Sequence, residues 1–188
     1  MKFTYHGRQF DGFDHPHNTT ILNERAIELA VAIDFLAGVD GEGLEVGHVL
    51  GHYGITGHRV VDLHEQAEGV ENIDVLDIEG RYDWIVSIST LEHVHWDNGE
   101  RNEYAAIDSI AHLRGLLKPG GRMLLTVPMG WNPPLDRAIA DDVQATLDST
   151  MVRTAKGWRQ TKNVMVKPYG LSTQWAESVW LGEFEGDA

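Results

Sequence analysis

The sequence predicts one α/β domain built on a mostly parallel sheet flanked by helices, with the last strand reversed. Three observations predict it. Short apolar runs, the longer ones rich in β-branched residues, recur at Leu44–Val46, Val60–Leu63, Ile73–Val75, Trp84–Ile88 and Met123–Val127. Each is too short for a typical helix and reads as a strand, some of them buried on both faces. Helical stripes flank the runs, and strands alternating with helices or turns argue for a parallel sheet.

The first 19 residues read as a strand or hairpin arm, with turn signals at His6-Gly7 and Asp11-Gly12. A helix follows from about Thr20, a plausible N-cap. Its expected apolar stripe is Leu22, Ala26, Leu29, Ile33 and Leu36, and Gly38 ends it. A second helix is expected from about Asn102 to Leu117, striped by Ala106, Ile110, Leu113 and Leu117 and stopped by Pro119-Gly120-Gly121. About seven residues separate Leu63 from Glu71, too few for a crossover helix, so one helix layer is expected to be reduced to a turn. The tail from Ile139 is expected to mix a short helix with strands near Met151–Ala155 and Ser178–Phe184, the last of them antiparallel. Residues 1–188 read as a single domain: an arm and helix over 1–38, a ligand-binding core over 43–130 and a substrate-side segment over 131–188.

Bulk properties narrow the function. The formal net charge is -14, and the few basic residues are scattered, which disfavours nucleic acid as a partner. No apolar stretch approaches the roughly 20 residues of a membrane span. The N-terminus lacks the apolar core of a secretory signal, and there is no cysteine, which together fit the cytoplasm. The ten histidines form no H-E-x-x-H or facial-triad spacing, so no metal is expected.

Chemistry-bearing residues gather at the ends of the apolar runs. The first run continues into Glu45-Val46-Gly47-His48-Val49-Leu50-Gly51, a glycine-rich turn that lets backbone pass close to a ligand. Asp62 ends the second run, where a carboxylate can accept from the hydroxyls of a ribose; Glu65 is the neighbouring alternative. Asp74 and Val75 end the third, with Asp77 in reserve. Tyr82-Asp83-Trp84-Ile85-Val86-Ser87-Ile88-Ser89 runs into Thr90-Leu91-Glu92-His93-Val94-His95, and Leu116-Leu117-Lys118-Pro119-Gly120-Gly121 precedes the fifth run.

Taken together, residues 43–130 resemble the class I S-adenosylmethionine-dependent methyltransferases. Glu45, Gly47 and Gly51 match the family's acidic residue and G-x-G-x-G turn, with Val49 departing from it. The (F/Y)-D strand with its "LEHV" loop and the "L-K-P-G-G" turn stand in the family's order. The resemblance implies a Rossmann-like methyltransferase fold, S-adenosylmethionine as cofactor and S-adenosylhomocysteine as product. It also implies cofactor contacts at Glu45, Gly47, Gly51, Asp62, Asp74, Val75 and Ser89: ribose on Asp62, adenine against Asp74 and Val75. The acceptor is expected to be the oxygen or nitrogen of a small molecule or saccharide. Methyl transfer from a sulfonium needs alignment above all, and a base only where the acceptor holds a proton. His93 and His95 are the candidate catalytic bases, and Glu92 could orient either one or bind substrate. Trp131 and Arg25 are candidate substrate contacts. Asn132-Pro133-Pro134-Leu135 is similar to the N-P-P-aromatic motif of amino-group methyltransferases, but it follows the fifth run rather than the fourth and reads as a proline-shaped loop. Two rivals stand beside this reading. One is a non-catalytic binder of the same cofactor. The other is a nicotinamide-dependent oxidoreductase, disfavoured because Val49 breaks G-x-G-x-x-G.

Overall fold

A computed structural model describes residues 1–97, 99, 101–169 and 175–187. An N-terminal hairpin pairs β1 (Lys2–Tyr5) with β2 (Arg8–Asp11), and α1 (Arg25–Leu36) follows. The main sheet then takes β3 (Gly43–Val46), β4 (Arg59–Val61), β5 (Val70–Glu71) and β6 (Tyr82–Ile88). Next come α2 (Ala105–Gly115), β7 (Leu117–Pro128), α3 (Pro133–Asp141), β8 (Leu147–Thr154), β9 (Gly157–Thr161) and β10 (Ser178–Glu185). The eight strands lie in the order β5-β4-β3-β6-β7-β10-β8-β9. The first five are parallel and the last three antiparallel, so the expected reversed strand β10 seats against β7.

Side-chain alternation sends the two faces of the sheet into two cores. Ile85, Met123 and Leu125 pack with Ile110 and Leu113 of α2 and Leu135 of α3. Val86, Leu124 and Leu181 pack on the opposite face with Ile27 and Phe35 of α1 and Phe3 of the hairpin. Because the hairpin covers α1 from outside, this helix buries more than one face, including Ile27 and Val31.

Several boundaries differ from expectation. The first helix begins at Arg25, not Thr20; the Thr20 hydroxyl accepts from Leu22 N in a turn, and Leu22 is 48% exposed rather than part of the stripe. The third strand is Val70–Glu71, and 73–75 instead enters a 3-10 turn, Val75–Asp77, capped by the Asp74 side chain on Leu76 N. A carboxylate that can cap its own backbone competes with the ladder. Pro119-Gly120-Gly121 does not end the second helix; α2 stops at Gly115 and these residues form an irregular start to β7, with a register shift opposite Tyr82 and Trp84. The Asn132 segment is the N-terminus of α3, not a loop: the Asn132 side chain accepts from Leu135 N and the two prolines occupy the first turn, where a missing N–H costs nothing. The expected trimming is present. Residues 62–69, between β4 and β5, hold turns and bends and no helix, and the segment after β3 likewise holds one 3-10 turn, Leu50–Tyr53, cut short by Gly54 and Gly57 at positive φ. Among the described residues no helix is long and apolar enough to cross a membrane.

Candidate active site

The tips of β3, β4 and β6 and the turn after β5 enclose a cavity of ≈ 130 Å³. Gly47, Asp62, Asp74, Val75, Thr90, His93 and His95 line it, with Val94 and Trp96. Such a crevice beyond the carboxyl ends of parallel strands is where open α/β sheets bind ligands. Gly47 has φ +87°, and a Cβ there would collide with the Thr90 side chain, so the turn stays bare where it meets the cavity. Val49 does not obstruct the crevice, because its side chain packs with the α1-side core.

Asp62 presents one oxygen to His64 N and Glu65 N, both at 2.9 Å, and the other to His48 N at 3.2 Å. Burial acts to raise its pKa, but the N–H groups of Glu65, His64 and His48 outweigh burial and hold it below the usual carboxylate value. The second oxygen keeps acceptor capacity toward the cavity.

Three expected cofactor contacts lie elsewhere. Glu45 is fully buried behind the turn. Its carboxylate accepts from Val49 N at 2.8 Å and Leu50 N at 2.7 Å, and it meets His58 Nε2 at 2.9 Å. It therefore shapes the turn instead of lining the cavity. Gly51 does not line the cavity either; its missing side chain makes room for the His48 imidazole. Ser89 turns away, its hydroxyl donating to Glu28 Oε1 at 2.6 Å. Asp74 and His95 line the cavity together, joined Oδ2 to Nε2 at 2.6 Å.

The loop after β6 is strained: Ser89 and His95 have φ of 47° and 49°. Positive φ outside glycine persists where surrounding structure enforces it, often at functional sites. Within this loop His93 Nδ1 meets Asp97 Oδ2 at 2.5 Å, and Trp131 Nε1 donates to Asp97 Oδ1 at 2.7 Å. Asp97 thus orients both residues, a role not foreseen although it stands four residues after His93. Glu92 is 2% exposed; its Oε1 lies 3.5 Å from His93 Nε2, and Oε2 has no hydrogen-bond donor among the described residues. Burial and the Glu28 carboxylate push its carboxyl well above the usual range. Arg25 lies 3.4 Å from Glu28 Oε2.

Glu24 at the head of α1 is raised from 4.5 to about 7, by burial first and by Glu28 second. The folded chain therefore holds this proton more tightly than the unfolded chain. The resulting stabilisation is complete below about pH 4.5 and is lost as pH rises to about 7. Glu24→Gln should accordingly match wild type in chemical denaturation at pH 4 and exceed it at pH 8, by up to about 3 kcal/mol.

The parallel β5-β4-β3-β6-β7 array, the bare turn after β3 and the reversed β10 define the fold of the class I S-adenosylmethionine-dependent methyltransferases. No family model matches the sequence, and no curated protein matches it. The structure is similar to that of the N-methyltransferase NodS from Bradyrhizobium japonicum, with a TM-score of 0.51 at 15% identity over 88% of this chain and 97% of that one. It is also similar to magnesium protoporphyrin IX methyltransferase from Synechocystis, solved with bound S-adenosylmethionine, with a TM-score of 0.47 at 12% identity over 86% of this chain and 78% of that one.

Proposed function

We infer that the protein is an S-adenosylmethionine-dependent methyltransferase acting on a small acceptor at oxygen or nitrogen. The observation that carries this reading is the pairing of the side-chain-free Gly47 with the Asp62 carboxylate on one cavity at the tips of adjacent parallel strands. A nucleoside fits this pairing. Its ribose hydroxyls donate to Asp62, its base lies toward Asp74 and Val75, and its amino-acid tail passes Gly47. Glu45 holds the turn in shape from behind.

The donor supplies an activated methyl group, so the protein's work is alignment and, where the acceptor carries a proton, its removal. His93, fixed by Asp97 and facing the cavity, and Glu92 beside it are the groups placed for that removal.

Thermal melts test the donor. S-adenosylhomocysteine at about 100 times its dissociation constant should stabilise the fold by about 2.7 kcal/mol, while NADH should not. Stabilisation by NADH in preference would replace this reading with the oxidoreductase. Asp62→Ala should weaken S-adenosylhomocysteine by about 10- to 100-fold in calorimetry, the worth of a hydrogen bond to a charged group. Wild-type affinity in that variant would remove the ribose assignment.

A further inference from the structure

Behind the loop that follows β6 lies a second constellation that cofactor binding does not use. Glu28 of α1 is fully buried. Its Oε1 accepts from Ser89 Oγ at 2.6 Å and Thr126 Oγ1 at 2.8 Å, at the tips of β6 and β7. Among the described residues its Oε2 receives no hydrogen bond, and Arg25 Nη1 lies 3.4 Å from it. Glu92, buried on the facing loop, likewise has an oxygen with no donor among the described residues. Burial first, and then the Glu24, Glu92 and Glu28 carboxylates, push the Tyr169 phenol upward.

Buried carboxylate oxygens without donors are costly, and each calls for an explanation. Arg25 acts on both Glu24 and Glu92. A ligand that carries donors and positive charge answers both deficits. Aromatic rings supply a third, separate feature. Trp131 meets Tyr169 edge-on at 5.2 Å and His93, the residue after Glu92, at 5.4 Å. Ring faces beside buried acids attract cations.

Resting on the methyl-donor reading, the geometry points to a cationic amine as the acceptor, its nitrogen held between Glu92 and Glu28 and its carbon skeleton against Trp131 and Tyr169. Arrival of the ammonium supplies the countercharge that ionises Glu92, whose proton leaves to solvent. One N–H proton then passes to the Glu92 carboxylate. The freed lone pair forms the nitrogen–carbon bond to the sulfonium methyl as the carbon–sulfur bond breaks, its electron pair staying on sulfur. The products are a methylated ammonium and a neutral thioether, and Glu92 is neutral again.

The test uses the full chain saturated with S-adenosylhomocysteine, melted with benzylamine- and tryptamine-type amines, the matching alcohols and the matching carboxylic acids. Methyl-labelled S-adenosylmethionine is then incubated with the same set. The amines alone should raise the melting temperature and take the label. Glu92→Gln should lower amine turnover by about 100-fold, the scale of general-base catalysis, with S-adenosylhomocysteine affinity retained. Trp131→Leu, at the exposed rim, should raise the amine KM with kcat little changed. Label on the alcohols, or no stabilisation by any amine, would overturn the amine acceptor while leaving the donor site standing. Loss of S-adenosylhomocysteine binding in Glu92→Gln would instead give these carboxylates to the cofactor's own ammonium and overturn the proposal. Absence of S-adenosylhomocysteine binding in wild type would remove the methyl-donor reading itself.

Discussion

Gly47→Val should lower S-adenosylhomocysteine affinity by at least about 100-fold, which is about 2.8 kcal/mol at 1.4 kcal/mol per tenfold. Two independent causes act at this position. The backbone has φ +87°, which a β-branched residue adopts only under strain of about 1–3 kcal/mol. A Cβ there would also stand 2.9 Å from both Cβ and Cγ2 of Thr90, so the turn or Thr90 must move, and both line the cavity. Gly54→Ala is the matched control. Its φ is +75° and nothing lies within 4 Å of an added Cβ. Gly54 is not among the cavity-lining residues. It should lose about 1 kcal/mol of stability through backbone strain and keep its affinity. Circular dichroism on both variants separates lost binding from lost fold.

Glu45→Ala should cost about 3–5 kcal/mol of folding stability, because it breaks a buried charged network and strands its partners. Val49 N and Leu50 N lose their acceptor and His58 Nε2 loses its partner, around a carboxylate that is itself fully buried. Glu45→Gln keeps an oxygen for the two N–H groups and should cost only about 1 kcal/mol. Urea midpoints at constant m value measure both. An alanine variant as stable as wild type would show that the turn does not depend on this carboxylate.

The parallel half of the sheet was legible in the sequence because its strands are buried on both faces and so read as apolar runs. β5 was not, being two residues long with its apolar neighbours Ile73 and Val75 just past its end. The N-terminus of α3 was obscured because prolines signal both loops and first helical turns, and only the Asn132 cap decides between them. At the site, Gly47, Asp62, Asp74, Val75, His93 and His95 all reach the cavity, since strand ends in a parallel sheet converge there. Glu45 and Ser89 were misplaced because their direction depends on partners distant in sequence, His58 and Glu28. The acidic constellation behind the loop joins residues 24–28, 89–92, 126 and 169, and no local pattern encodes such a meeting. Asp97 is different: it lies one helical turn beyond His93, and that spacing was a usable signal.

A crystal structure with S-adenosylhomocysteine tests the central claim most directly. Nucleoside density over the tips of β3 and β4 is expected, with both ribose hydroxyls within hydrogen-bond reach of Asp62 and the homocysteine chain beside Gly47. A well-ordered crystal soaked to saturation, with that crevice free of density or the nucleoside bound elsewhere on the molecule, would contradict it.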